Sequence, residues 1–114
     1  MIERIECGKR MSAAVVSGGH VYISGQVADD RTESIEGQAR QVLQKIDAIL
    51  DKAGSSRAKL VMVNVYLPNI LDFEAMNRVY DEWVAPGAAP ARATVETRLA
   101  NANLRIEISA IAAA

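Results

Sequence analysis

The sequence predicts an α+β fold in which two helices cover one face of a single mixed β-sheet. Strand-like and helix-like segments follow one another as hairpin, helix, strand, helix and two further strands. Each helical segment has one apolar stripe, and the strand between the helices is apolar on both faces except at Asn64. With 114 residues, half of them hydrophobic, the chain is expected to form one domain over residues 1–114.

The first predicted element is a β-hairpin. Residues Ser12 to Ser17 and His20 to Val27 are rich in Val, Ile and Tyr, and Gly18-Gly19 between them supplies a tight turn. There is room for one more short strand before the hairpin. The expected order is then β-β-β-α-β-α-β-β, with six strands in the sheet.

The first helix is predicted by apolar residues that recur every three or four positions from Ile35 to Ala53. Ser34 is its expected N-cap, and Gly54 its expected C-terminal stop. A strand over residues 59–67 follows.

The second helix is predicted from about Leu71 to Val84, with either Asn69 or Asp72 as its cap and Pro86-Gly87 after its end.

Two strands, Arg92 to Leu99 and Leu104 to Ile111, are expected to close the chain, joined by the turn-like segment "ANAN". We expect these strands to lie side by side, which would place Arg92 and Glu107 within reach of one pocket. Two helices can cover only one face of such a sheet, and the other face still carries Val and Ile. That face is therefore expected to pack against another copy of the chain.

Composition excludes several classes of function. The net charge is −1 with both signs interspersed, unlike the clustered basic surface of a nucleic-acid-binding protein. No apolar run approaches the roughly 20 residues that span a membrane, and the charged N-terminus does not resemble a signal peptide, so a cytoplasmic location is expected. One cysteine, Cys7, and one histidine, His20, cannot form a Cys/His zinc site.

Two charged residues are candidates for a functional site. Arg92 opens an apolar strand directly after Pro90 and Ala91, and the proline fixes its backbone position. Its guanidinium either pairs with a surface carboxylate or binds a ligand carboxylate through two hydrogen bonds. Glu107, between Ile106 and Ile108, either forms a cross-strand salt bridge or activates a water molecule.

Two polar segments allow a structural and a functional interpretation. Ser24-Gly25 near the end of a strand indicates either a bulge or turn, or a close approach of the backbone to a ligand. Asn77 in the second helix lies off the apolar stripe and is either solvated or part of the site.

Several segments together resemble one known family. They are "ISGQV" after the hairpin, "VNVYL", "DFEAMNRVYDEW", "PARATVE" and "LRIEISAIA". This combination is similar to the RidA/YjgF family, also called the L-PSP or reactive-intermediate-deaminase family, over about residues 10–112. The spacing of P-A-R-x-x-V and I-E-I near the C-terminus is the most specific part of the resemblance.

The resemblance implies a chorismate-mutase-like fold and a homotrimer with three sites between subunits. It also implies hydrolysis of enamine and imine intermediates such as 2-aminoacrylate to a 2-oxo acid and ammonia, without a metal or organic cofactor. By position, Arg92 would bind the substrate carboxylate and Glu107 would orient the water. Ser24 and Asn77 would complete the substrate contacts, with Gly25 beside Ser24 letting the backbone come close to the ligand.

Two departures indicate a divergent subgroup. The stretch "KRMSAAVV" lacks the tyrosine that many deaminases carry before the hairpin, and Thr94, also assigned to the substrate site, stands where many relatives have cysteine. A trimer that binds or senses small carboxylates without chemistry is the alternative function. Ribonuclease activity, a name used for some relatives, ranks third because the charge gives it little support.

Overall fold

The computed structural model describes residues 1–114 and contains one six-stranded mixed sheet and two α-helices. The predicted order of elements is confirmed, including the short N-terminal strand. The strands are β1 Glu3–Cys7, β2 Ser12–Ser17, β3 His20–Gln26, β4 Leu60–Leu67, β5 Ala91–Glu96 and β6 Glu107–Ala113, and the helices are α1 Ile35–Lys52 and α2 Phe73–Trp83.

The strands are ordered β1-β2-β3-β6-β4-β5, and every neighbouring pair is antiparallel except β4 and β5. The prediction that the last two strands lie side by side is therefore wrong. The α2 crossover places β5 parallel to β4 on its outer edge, because parallel neighbours need such a connection. The inner edge of β4 is left for β6, so residues 97–106 pass the end of β4 instead of forming a hairpin turn.

The ends of the helices follow local sequence signals. The Ser34 hydroxyl accepts a 3.1 Å hydrogen bond from the Gly37 amide, and Gly54 has a φ of 73°, as its role of helix stop requires. Before α2, Asn69 caps a short 3-10 turn over residues 70–72. Asp72 precedes α2 without capping it, and its carboxylate pairs with Arg105 at 3.3 Å.

The core lies between the sheet and the two helices. Alternate residues of the last strands point into it, and Ile106, Ile108 and Ala110 are all buried, as the sequence pattern predicts. The opposite face of the sheet has no helix on it. An apolar row crosses five strands of that face in register, formed by Val15, Tyr22, Ile111, Met62 and Ala91.

No helix of the chain is both long and apolar enough to cross a membrane.

Candidate functional site

Arg92 lies on the edge strand β5, on the face of the sheet that α2 covers. Its Nη1 donates a 2.8 Å hydrogen bond to Asn77 Oδ1, and its guanidinium carbon lies 4.7 Å from the centre of the Tyr80 ring. The Phe73 ring centre is 5.8 Å away. Arg92 forms no ion pair within the chain, so its guanidinium is held by a neutral acceptor and aromatic faces. Of the two interpretations of Arg92, pairing with a carboxylate of its own chain is wrong.

Two buried hydroxyl groups near Arg92 have no hydrogen-bond partner. They belong to Tyr80, which is 6% exposed, and to Thr94, which shares the face of β5 with Arg92. Burial raises the pKa of the Tyr80 phenol, while the positive charge of Arg92 lowers it and the Asp81 carboxylate adds to the rise. Unpaired buried hydroxyl groups are uncommon, and they are capable of bonding a ligand or water.

Glu107 opens β6 on the face of the sheet that no helix covers. Its carboxylate packs over Gly25 of β3, and a Cβ added to Gly25 would lie 2.9 Å from Glu107 Cδ. A cleft of about 380 Å³ opens here, and Tyr66 and Ser109 also line it. Gly25 is therefore the residue that leaves space for the Glu107 side chain.

Ser24 is occupied by a structural contact within the chain. Its hydroxyl donates to the carbonyl of Ser12 on β2, and the pairing of β3 with β6 shifts register between Ile23 and Gln26. This shift of register agrees with the structural interpretation of the segment, a bulge or turn.

Arg92 and Glu107 do not meet within one chain, contrary to the sequence-based expectation. Arg92 aligns with Ala110 across β4, and Glu107 lies three residues before Ala110 on β6. At about 4.8 Å between strands and about 3.4 Å per residue, their Cα atoms are roughly 14 Å apart. Their side chains also point to opposite faces of the sheet, because odd and even positions alternate.

Gln38 is a residue that sequence reasoning missed. Its fully buried amide nitrogen donates to the carbonyls of Arg31, Glu33 and Asn103 at 3.1–3.3 Å, and its oxygen accepts from the Arg105 amide at 2.9 Å. It thereby joins the two loops that border the Glu107 cleft. A polar side chain three residues after Ile35, inside the apolar stripe of α1, was the available signal.

Two arginines beside Glu107 were also missed. Arg98 lines the 380 Å³ cleft, and Arg31 lines an adjoining hollow of about 540 Å³ that includes Gly25 and Glu107. Neither arginine forms an ion pair. No group of three or more His, Cys, Asp or Glu side chains is arranged to hold a metal ion.

Comparison with known proteins places the chain in a family. The family model described as Endoribonuclease L-PSP matches residues 1–114. A RutC family protein of Haemophilus ducreyi is 43% identical over 113 residues, which cover 99% of this chain and 97% of that protein. The chain belongs to the RidA/YjgF family.

Solved structures of the RidA/YjgF family have the same fold. A YjgF-family protein of Neisseria meningitidis superposes with a TM-score of 0.97 at 38% identity, covering 99% of this chain and 94% of that one. A Rid-family protein of Yersinia pestis gives a TM-score of 0.91 at 31% identity, with both chains covered completely. Because coverage is near complete in both directions, the resemblance and the chorismate-mutase-like fold inferred from the sequence are confirmed.

Proposed function

We propose that the chain assembles into a homotrimer that hydrolyses 2-imino acids and their enamine tautomers, such as 2-aminoacrylate, to 2-oxo acids and ammonia. The observation that supports this most directly is the state of Arg92. An arginine that is fixed by Asn77 and Tyr80 but has no carboxylate partner retains donors for a ligand carboxylate.

Binding of the substrate would begin at Arg92. A 2-imino acid carries a carboxylate next to the electrophilic imine carbon, so two parallel hydrogen bonds to the guanidinium would fix both groups. Thr94 lies two residues after Arg92 on the same strand. Its buried side-chain hydroxyl has no partner in the chain and is free to donate to the substrate carboxylate. Such orientation supplies much of the rate gain in reactions that already proceed in water.

Chemistry would then require a group that moves protons. Glu107 would accept a proton from water while the water oxygen adds to the imine carbon. This step forms a C–O bond and gives a carbinolamine. Glu107 would return this proton to nitrogen. As the C–N bond breaks and ammonia leaves, the carboxylate would take the proton of the hydroxyl group, so that the carbonyl forms. Atoms balance with one water consumed for each imine.

A complete site needs two copies of the chain. Arg92 and Glu107 lie on opposite faces of one sheet, with β4 between their strands. The uncovered face that carries Glu107 also carries the apolar row that a neighbouring subunit would bury. The proposed site therefore combines Arg92 of one subunit with Glu107 of another.

The activity is tested by generating 2-aminoacrylate from serine with a dehydratase and following release of the 2-oxo acid. The chain should accelerate release, and Arg92→Ala should lose most of that effect, because leaving one partner of a buried charge contact unpaired costs about 2–5 kcal/mol. Arg40→Ala, an exposed arginine on α1, is the matched control. Absence of any acceleration would refute the deaminase proposal. Binding of 2-oxo acids without turnover would instead favour the non-catalytic alternative.

Sharing of the site is tested by subunit mixing. Equal amounts of Arg92→Ala and Glu107→Ala subunits, unfolded and refolded together, should regain about one quarter of wild-type activity in a ring of shared sites. Sites contained in one chain would regain none. In a second experiment, wild-type subunits are mixed in equal amounts with subunits that carry both Arg92→Ala and Glu107→Ala. Shared sites predict about one quarter of wild-type activity, and sites contained in one chain predict about one half.

A further inference from the structure

We propose that the cleft beside Glu107 binds a second anionic group, so that the preferred substrates are 2-imino dicarboxylic acids. This inference rests on the proposed function and names its substrate class. Arg98 and Arg31 each line a hollow that Glu107 also lines.

Arg98 is placed in the cleft by the backbone. The Thr97 amide donates a 3.0 Å hydrogen bond to the Leu67 carbonyl, so the segment after β5 stays tied to the end of β4. Arg98 then faces the same cleft as Tyr66 and Glu107. Its guanidinium has no carboxylate partner in the chain.

The backbone of Arg31 is held in the second hollow that Glu107 lines. Its carbonyl accepts a 3.3 Å hydrogen bond from the buried amide of Gln38, which also holds Asn103 on the opposite loop. The hollow lined by Arg31 and the cleft lined by Arg98 have three lining residues in common, namely Gly25, Ala100 and Glu107. The two arginines thus line two adjoining hollows that both include Glu107.

The charges of these adjoining hollows do not suit a substrate with one carboxylate. The two positive charges of Arg31 and Arg98 exceed the single negative charge of Glu107. Arg92 of the neighbouring subunit would add a further positive charge. A 2-iminium monocarboxylate is neutral overall and would leave the excess positive charge unbalanced. A second carboxylate on the substrate side chain would offset it, and charge complementarity of this kind determines specificity.

The direction of the substrate side chain follows from the arrangement. With its first carboxylate on Arg92 and its imine carbon at Glu107, the substrate would extend its side chain along the cleft toward Arg98. Side chains with a terminal carboxylate, as in 2-iminosuccinate and 2-iminoglutarate, fit this chemistry. Hydrolysis is unchanged: water oxygen enters the carbonyl, ammonia leaves, and the second carboxylate takes no part.

Substrate preference is the first test. Imines are produced from aspartate, glutamate and alanine by amino-acid oxidases, and their loss is followed by trapping with semicarbazide. Wild type should show a kcat/KM about two- to fivefold higher for the dicarboxylate imines than for 2-iminopropanoate. Arg98→Ala should bring this ratio close to one, while Arg40→Ala should leave the ratio as it is.

Direct binding separates failure of this inference from failure of the deaminase proposal. Calorimetry compares 2-oxoglutarate with 2-oxopentanoate, which has the same carbon chain without the second carboxylate. Tighter binding of 2-oxoglutarate that is lost in Arg98→Ala supports the second anion site, even if no imine is hydrolysed. Equal affinities, or a preference that survives Arg98→Ala, would overturn the inference whether or not imines turn over.

Discussion

Arg92 Nη1 donates a 2.8 Å hydrogen bond to Asn77 Oδ1 across the space between β5 and α2. The sequence-based assignment placed Asn77 in contact with substrate, whereas the structure shows its side-chain oxygen in contact with the arginine. Together with the Tyr80 ring, this contact fixes the direction of the guanidinium. Asn77 would thus act on a bound carboxylate through Arg92.

Removal of the Asn77 side chain should weaken substrate binding more than chemistry. A hydrogen bond to a charged group contributes about 1.5–3 kcal/mol, so Asn77→Ala should raise KM about tenfold or more and change kcat much less. Steady-state kinetics with the in-situ imine measure both values. Glu74→Ala on the exposed side of the same helix is the control. An unchanged KM would show that Arg92 holds its position without Asn77.

A methyl group at Gly25 should displace Glu107. The added Cβ would lie within 2.9 Å of Glu107 Cδ, and the flexible carboxylate would move rather than the backbone. Gly25→Ala should therefore lower kcat by about 10²-fold, a typical contribution of a placed acid–base group, with little change in melting temperature. The double variant with Glu107→Ala should be no slower than Glu107→Ala alone. Additive losses would mean that Gly25 acts independently of the carboxylate.

Loss of Gln38 should destabilise the fold. Truncation leaves three carbonyls and one amide without their partner in a buried environment, so Gln38→Ala should lower the free energy of unfolding by about 2–4 kcal/mol. Urea denaturation measures the change. Gln44→Ala, at an exposed position of α1, should stay within about 0.5 kcal/mol of wild type. Equal stability of both variants would contradict the bridging role of Gln38.

Tyr80 should make the fold sensitive to alkali. Its pKa in the folded chain is raised above the ordinary value of 10.0, chiefly by burial. The folded state then holds the phenolic proton more tightly than the unfolded state does. This contribution to stability is complete below pH 10 and is lost as the pH rises through the folded pKa. The urea midpoint should fall less between pH 9 and about pH 11 in Tyr80→Phe than in wild type. An equal fall in both proteins would contradict this assignment.

Local features of the fold were predictable because short-range interactions determine them. Ser34 caps α1 through a hydrogen bond to a residue three positions on, and Gly54 adopts a backbone conformation that glycine tolerates best. Alternation along β6 likewise buries Ile108 and leaves Glu107 on the other face. These local signals do not depend on the order of the strands in the sheet.

The relationship between Arg92 and Glu107 was not predictable from pattern because it depends on which strands become neighbours. Both residues were placed correctly on strands, but the insertion of β6 between β3 and β4 puts β4 between them. The role of Gln38 was missed for a related reason. Its partners lie in two loops, one of them 65 residues away in the sequence.

The opposite orientations of Arg92 and Glu107 also have a genetic consequence. In the proposed assembly each chain contributes to two sites, each shared with a neighbour, and forms none alone. One defective subunit therefore inactivates sites to which an intact subunit also contributes. An allele lacking both residues, expressed beside an intact one, would reduce activity by more than its share of the gene dose. Inheritance of such an allele would be partly dominant, although the change removes function and adds none.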